Sequence, residues 1–421
     1  MLAVGVLVAG GAAIAVSAGG GGSSGSGGSA GSSSSSSSSS SGGGSKPATT
    51  TAAGAEPTTS GALPGKLGFP SAATKNTTRV PGADPVADAA LVALAVYPSS
   101  GAGTHPGAVT IAPTDDWPAA IAAASLMSPP IRSPLLLSGS SSLPSATADA
   151  LGAMAPAGSG ATGGAQVIRV GDVPSPSGVR SVSIAGKDPY AVAAAIDRFA
   201  SAARGRPSIN VVIASAQAPA YAMPAAGWAA ESGEPVLFVS SSGIPAVTRQ
   251  ALLSHRHPHI YVLGPASVIP DDILTRLRRY GSVKRVGAEG AASSSVAFAI
   301  YRDPPCATGQ PCAHVPNSFG WAMRSPGHGY VLINSHRPLD AAASAPLSAS
   351  GAYGPQLLVD DPSAMPGSLL NFFLNYATPG YTRQGPTAAV FNHGWVIGDR
   401  STISLSVQAQ LDQLLEIVPQ K

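Results

Sequence analysis

Arg79-Val80-Pro81-Gly82-Ala83-Asp84, followed by an Ala-rich helical pattern, is written three times in this chain. It recurs as Ser183-Ile184-Ala185-Gly186-Lys187-Asp188 and as Arg285-Val286-Gly287-Ala288-Glu289. Gly82 and Gly186 are 104 residues apart, and Gly186 and Gly287 are 101 apart. Self-similarity at a steady period marks repeated units.

Other landmarks keep the same period. An apolar run appears as Ala108-Val109-Thr110-Ile111-Ala112, Asn210-Val211-Val212-Ile213-Ala214 and Tyr330-Val331-Leu332-Ile333-Asn334. Each precedes a small-residue helical stretch: Trp117-Pro118-Ala119-Ala120, Pro219-Ala220-Tyr221-Ala222 or Leu339-Asp340-Ala341-Ala342. A proline then opens a second apolar run: Pro134-Leu135-Leu136-Leu137, Pro235-Val236-Leu237-Phe238 and Pro355-Gln356-Leu357-Leu358. Ala119 to Pro134, Ala220 to Pro235 and Asp340 to Pro355 each span 15 residues. Leu143-Pro144, Ile244-Pro245 and Met365-Pro366 follow the strand proline by 10, 10 and 11 residues. The last apolar run is 166–171, 259–264 or 389–394.

Continuous apolar runs without alternation suit strands buried on both faces. Their alternation with helices predicts parallel sheets covered on both sides. Asp188, Pro189 and Gly205 show the local chemistry: an N-cap, a proline whose missing N–H costs nothing, and a left-handed stop. Val192, Ile196 and Phe199 line one face between them. Asp116 and Pro118 open the helix after Trp117 in the same way. The expected architecture is therefore α/β, with units at 78–180, 181–282 and 283–421. The last carries an insertion at 303–329.

Residues 2–18 are uncharged and mostly apolar, and read as a secretory h-region or a short membrane anchor. No basic n-region precedes them, which leaves room for a start further upstream. We take 1–18 as this segment and 19–77 as a tether. The tether has a Gly/Ser tract with an unbroken serine run, 32–41, and then Thr, Ala and Pro. Such composition cannot bury enough apolar surface to offset chain entropy. Charged residues are 11% of the chain and the net charge is +3, which gives no basis for nucleic-acid binding.

The order Arg-apolar-x-Gly-x-Asp, an Ala-rich helix, a Pro-Leu-Leu-Leu strand, a Leu-Pro turn and a Val-Gly strand end resembles the cell wall-binding repeat 2 family over about 78–418. The resemblance implies a flavodoxin-like fold for each unit, a pseudo-threefold arrangement of the three, and a monomer displayed on a Gram-positive-type cell surface. It implies non-covalent attachment to an anionic cell-wall polymer in clefts between units, without enzymatic activity or cofactor. Carried over residue by residue, the polymer-binding segments are Pro134, Leu135, Leu136 and Leu137; Pro235, Val236, Leu237 and Phe238; and Pro355, Leu357 and Leu358. The chain departs from the pattern at 171–176, too short and Pro-rich for the helix expected there. It departs also at Gln356, and at Pro85 and Gly290, where Arg is usual.

Cys306 and Cys312, six apart in the insertion, read as a local disulfide of an exported protein. A metal pair with His314 falls short of the four ligands tetrahedral zinc takes, and free thiols are the remaining state. His255-Arg256-His257-Pro258-His259 is expected to be a solvated loop, with polymer contact and metal binding as lesser readings. Arg276, Arg278, Arg279, Lys284 and Arg285 form the densest positive region, a solvated face or a steering surface for an acidic polymer. Asp115-Asp116 would suit acid–base chemistry, but an N-cap accounts for one of the two. The folded part of the sequence has no Gly-x-Ser-x-Gly elbow, no His-Glu-x-x-His and no phosphate loop. A membrane-tethered solute-binding receptor is the alternative function, because crevices at strand ends hold small ligands.

Overall fold

In the computed structural model, Val109–Pro113, Asn210–Ser215 and Gly329–Asn334 are interior strands of three separate sheets. Residues 72–101, 103–305, 317–381 and 390–419 are described, all within the unit Thr58–Lys421. The apolar segment 1–18, the tether as far as residue 71, and both cysteines lie outside the described residues. Among the described residues no helix is long and apolar enough to cross a membrane.

Each interior strand has the proline-opened strand on one side: Leu135–Ser138, Val236–Val239 or Gln356–Val359. On the other side lies Val167–Val170, His259–Leu263 or His393–Ile397. All these pairs are parallel. Thr110, Val212 and Val331 stand opposite Leu135, Val236 and Gln356, so the register repeats as well as the order. This is the parallel, doubly covered sheet expected from the apolar runs, most of whose side chains are buried, and the flavodoxin-like unit that the resemblance implies.

The fourth strand of each sheet comes from the copy that follows. Ser181–Ile184 pairs with Val167–Val170, and Ser282–Val286 pairs with His259–Leu263. Thr77–Val80 pairs with His393–Ile397, so the start of the folded chain completes the third sheet. The three sheets close cyclically, which gives the pseudo-threefold arrangement. Ala72–Ala73 adds a short antiparallel strand on that same edge.

The helix after each fourth strand crosses to the next sheet. Pro85–Val96 leaves the third sheet and packs on Leu135–Ser138 and the helix Ser145–Met154. Pro189–Arg204 leaves the first sheet and packs on Val236–Val239 and Ala246–Ser254. Ala291–Ile300 leaves the second and packs on Gln356–Val359 and Gly367–Phe372. Asp84 and Asp188 cap the first two of these helices, accepting from Ala87 N at 2.9 Å and Ala191 N at 2.8 Å. Gly205 ends the second at φ 74°.

The helices after the interior strands, Trp117–Ala123, Pro224–Ser232 and Pro338–Ser348, pack on one another. Their Ala-rich faces are buried, and Gly227 marks the tightest approach: a Cβ there would stand 2.7 Å from Ser348 Oγ. Gln356, the departure in the third apolar run, clamps this contact. Its Oε1 accepts from Gly227 N at 3.1 Å, and its Nε2 donates to Ala341 O at 2.6 Å and Ser344 Oγ at 3.0 Å.

The apolar-Pro pairs also have a common role. Pro144, Pro245 and Pro366 stand at extended backbone just before Ser145–Met154, Ala246–Ser254 and Gly367–Phe372. The first copy has no helix between Val170 and Ser181, whereas the others place Asp271–Leu277 and Leu405–Leu414 there. Pro174 and Pro176 leave too few backbone donors for one.

Candidate functional site

In each sheet the chain moves from the interior strand to one neighbour and then back across to the other. The crevice outside the carboxyl ends of those two strands is where doubly wound folds bind ligands. The first crevice lies beyond Pro113 and Val170, the second beyond Ser215 and Leu263, the third beyond Asn334 and Ile397. The central helices begin beside them.

The repeated opening motif builds one wall of each crevice, and its roles are structural. Arg79 is 1% exposed and donates to Gly398 O and Asp399 O, both at 2.9 Å. Arg285 does the same in the second crevice, donating to Gly264 O at 2.9 Å and Ile269 O at 2.7 Å. Ser183 stands at this position beside the helix-less loop of the first sheet. The motif glycines let the strand end run against the following helix. A Cβ on Gly82 would lie 2.5 Å from Asp88 N, and one on Gly186 would lie 2.5 Å from Val192 N. Gly287, at φ 144°, would meet Ser294 Oγ at 2.8 Å.

The third crevice holds a buried ionic cluster. Arg337 Nη2 lies 3.1 Å from Asp88 Oδ2 and 3.1 Å from Asp340 Oδ1, and Arg337 Nη1 donates to Thr402 Oγ1 at 2.7 Å. Both carboxylates are fully buried. Burial pushes Asp340 up to about 6, against the pull of Arg337. Burial and the neighbouring Asp340 hold Asp88 well above the usual carboxylate range. The rim adds Asp84, Asp360, Asp361 and Asp399. The first rim is acidic too, with Asp115, Asp116, Asp172 and Asp188 around Lys187. Asp116 is the N-cap expected of it, accepting from Ala119 N at 3.0 Å.

The second rim has more arginine. Its turn, Ser240-Ser241-Ser242-Gly243, presents hydroxyls as the first rim's serine turn does, with Ser241 and Ser242 exposed. Arg249 donates to Ile244 O at 2.7 Å beside it, and the Arg276 guanidinium lies next to Gly243. Two acids here are paired, Asp271 with Arg285 at 2.7 Å and Asp272 with Arg276 at 3.2 Å, while Glu289 accepts from Ser267 Oγ at 2.9 Å.

The segments carried over from the family resemblance lie beneath the rims. Pro134, Leu135, Leu136 and Leu137 are buried, as are Pro235, Val236, Leu237 and Phe238, and Pro355, Leu357 and Leu358. Their side chains fill the space between sheet and helices, and only the turn that follows each strand reaches a rim. The serine and aspartate turns were the signal missed in sequence: Ser140-Ser141-Ser142, Ser240-Ser241-Ser242 and Asp360-Asp361 occupy equivalent places, and only the third is charged.

One expectation is corrected. The histidine tract is not wholly a solvated loop: His255 is buried, its Nε2 2.8 Å from Asp197 Oδ2 and its Nδ1 2.7 Å from Ser208 O. The cause is the fold of Pro189–Arg204 over Ala246–Ser254, which brings Asp197 to it. His257 and His259 are exposed. Among the described residues there is no cluster able to hold a metal ion. In the basic region, Lys284 pairs with Asp303 at 2.6 Å, while Arg278 and Arg279 are exposed.

Repeated doubly wound units whose sheets share strands define the class of fold, a tandem-repeat α/β protein. Within it, residues 183–274 match the model of the family described as cell wall binding domain 2 (CWB2), which bears out the resemblance on the second copy. Among solved structures, Cwp8 from Clostridium difficile is similar with a TM-score of 0.59 and 15% identity, over 81% of this chain and 52% of that chain. Cwp6 from Clostridium difficile is similar with a TM-score of 0.60 and 15% identity, over 80% of this chain and 48% of that one. At this identity the likeness is one of fold. The chain spans about half the length of these solved structures. No curated protein matches it.

Proposed function

We propose that the chain is a cell-surface protein of a Gram-positive-type bacterium that attaches non-covalently to an anionic wall polymer, chiefly at the crevice of the second copy. One observation carries this reading. The stretch that matches the cell wall binding family, 183–274, supplies the serine turn, Arg249, Asp271 and Asp272 of the second rim, where Arg276 and Arg285 just beyond it pair with those two acids. The other two rims carry unmatched aspartates, which repel an anion. In this reading the strands Pro235–Phe238 and their counterparts hold the turns in place, and the turns touch the polymer. The first and third copies then serve as scaffold. Residues 1–18 and the tether fit export and display away from a membrane. The reading involves no catalytic step.

The test is binding of the full chain to purified anionic wall polymer across a salt series. Binding should be strongest at low ionic strength and weaken as salt screens the arginines. Arg249→Gln combined with Arg276→Gln should weaken it further. Absence of binding at low salt would refute the ligand.

A further inference from the structure

The three central helices begin beside the strand-end crevices and end together on the far side. Ala124–Met127 continues the first of them, and Pro224–Ser232 and Pro338–Ser348 are the others. Their last residues border a cavity of about 490 Å³, within the range of small-molecule sites, roughly 300–1,000 Å³. Each helix end contributes to its lining, and Tyr97 joins them from the end of Pro85–Val96.

Two charged residues line this cavity, Arg132 and Glu231. Glu231 is half-buried in the last turn of its helix, where the carbonyl ends of the peptide dipoles disfavour a negative charge. Burial raises its carboxyl as well. Among the described residues it has neither an ion pair nor a hydrogen bond. Arg132 stands exposed at the mouth. Its backbone is at φ 52°, a left-handed conformation that a side chain disfavours. Two hydrogen bonds hold it there: Tyr97 Oη donates to Arg132 O at 3.0 Å, and Arg132 N donates to Ser128 O at 3.1 Å. Backbone strain kept in place in this way fixes where the side chain leaves the chain. The Arg132 guanidinium makes no ion pair or hydrogen bond among the described residues, so the two charges stand apart.

The cavity thus offers a carboxylate and the carbonyl ends of three helices to a cation, and a guanidinium to an anion. A purely cationic ligand meets Arg132, and a purely anionic one meets Glu231. A small molecule with both charges suits both, its ammonium toward Glu231 and its carboxylate toward Arg132. Met127, Pro129 and Ala349 offer an apolar surface to the rest of it. We propose that this cavity binds a free amino acid as its zwitterion. The proposal is independent of the wall-polymer reading, because the crevices lie at the other end of the central helices.

The experiment is isothermal titration calorimetry of the full chain with L-leucine and with two analogues that keep one charge each, isoamylamine and isocaproate. Leucine should bind saturably and each analogue at least about tenfold more weakly, the factor expected from one hydrogen bond between charged groups. Arg132→Gln should weaken leucine and isocaproate and leave isoamylamine unchanged. Glu231→Gln should weaken leucine and isoamylamine and leave isocaproate unchanged. General loosening of the fold would not give this crossed pattern. The proposal is overturned if leucine does not saturate, if either analogue binds as tightly as leucine, or if either variant binds leucine as the natural chain does.

Discussion

Arg337, at the start of the third central helix, reaches Asp88 in the first crossover helix, with Nη2 3.1 Å from Oδ2. The two residues are 249 positions apart. Their contact joins the beginning of the folded chain to its last copy, beside the strand Thr77–Val80 that closes the third sheet. The guanidinium also holds Asp340, so one cation stands between two buried carboxylates.

Removing that cation should be costly. In Arg337→Leu, two buried carboxyl groups lose their shared partner, and breaking a buried pair costs about 3–5 kcal/mol. Urea unfolding at neutral pH would show it, and adding Asp340→Asn should recover part of the loss. A loss under about 1 kcal/mol would place the pair among surface-type ion pairs and contradict this role.

Stability should fall from mildly acidic to mildly basic pH. Burial raises Glu234 to about 7 and Asp340 to about 6. Between its ordinary value and the raised one, each holds a proton in the folded state that the unfolded chain has released. Folding therefore weakens as pH rises through that window. His255 acts in the same sense. Burial opposes its charge, but the hydrogen bond and charge of Asp197 prevail and raise it. Both ring nitrogens face acceptors, so the imidazolium is the form that fits. Burial lowers His328 and His393, which opposes this trend only below about pH 6.5, so thermal melting should give a higher Tm at pH 6.5 than at pH 8, and Glu234→Gln should shrink the difference. A higher Tm at pH 8 would contradict these assignments.

Much of this fold was legible in the sequence. Matched spacings located eight of the strands, because strands buried on both faces read as apolar runs; the ninth, expected at 389–394, lies instead at His393–Ile397, and Val390 and Phe391 before it are exposed. Asp116, Asp188 and Gly205 announced helix ends through their own backbone chemistry. What spacing cannot show is which sheet edge a strand joins. Thr77–Val80 opens the first copy yet pairs with the third, since any parallel edge of suitable register offers the same hydrogen bonds. Gln356 looked like a flaw in an apolar strand, and only the approach of Gly227 gives it partners. Phe319, Trp321 and Met323 alternate in an insertion, a pattern that would have flagged a buried extended segment. His255 gave no such signal, because its partner lies 58 residues away.

The central-helix contact should be intolerant of change. Gln356→Leu removes three buried hydrogen bonds and leaves Gly227 N without a partner, for an expected loss of about 2–4 kcal/mol. Gly227→Ala forces a methyl group against Ser348 and Gln356, costing about 1–3 kcal/mol. Denaturant melts of the two variants measure both, and a change within about 0.5 kcal/mol in either would count against close packing there.

Cyclic closure predicts that the first strand cannot be spared. Deleting residues 1–81 exposes the edge of the third sheet at His393–Ile397, a template for pairing with other chains. Deleting only residues 1–70 leaves that strand in place. Size-exclusion chromatography should show a monomer for the shorter deletion and self-association for the longer one. Identical monomers from both would mean that the closing strand contributes little.

The most direct test of the wall-binding account is co-sedimentation of the full chain with isolated cell walls, intact or chemically stripped of their anionic polymer. The account predicts that the protein pellets with intact walls, is released by salt, and stays in solution with stripped walls. Equal pelleting with both wall preparations would contradict it.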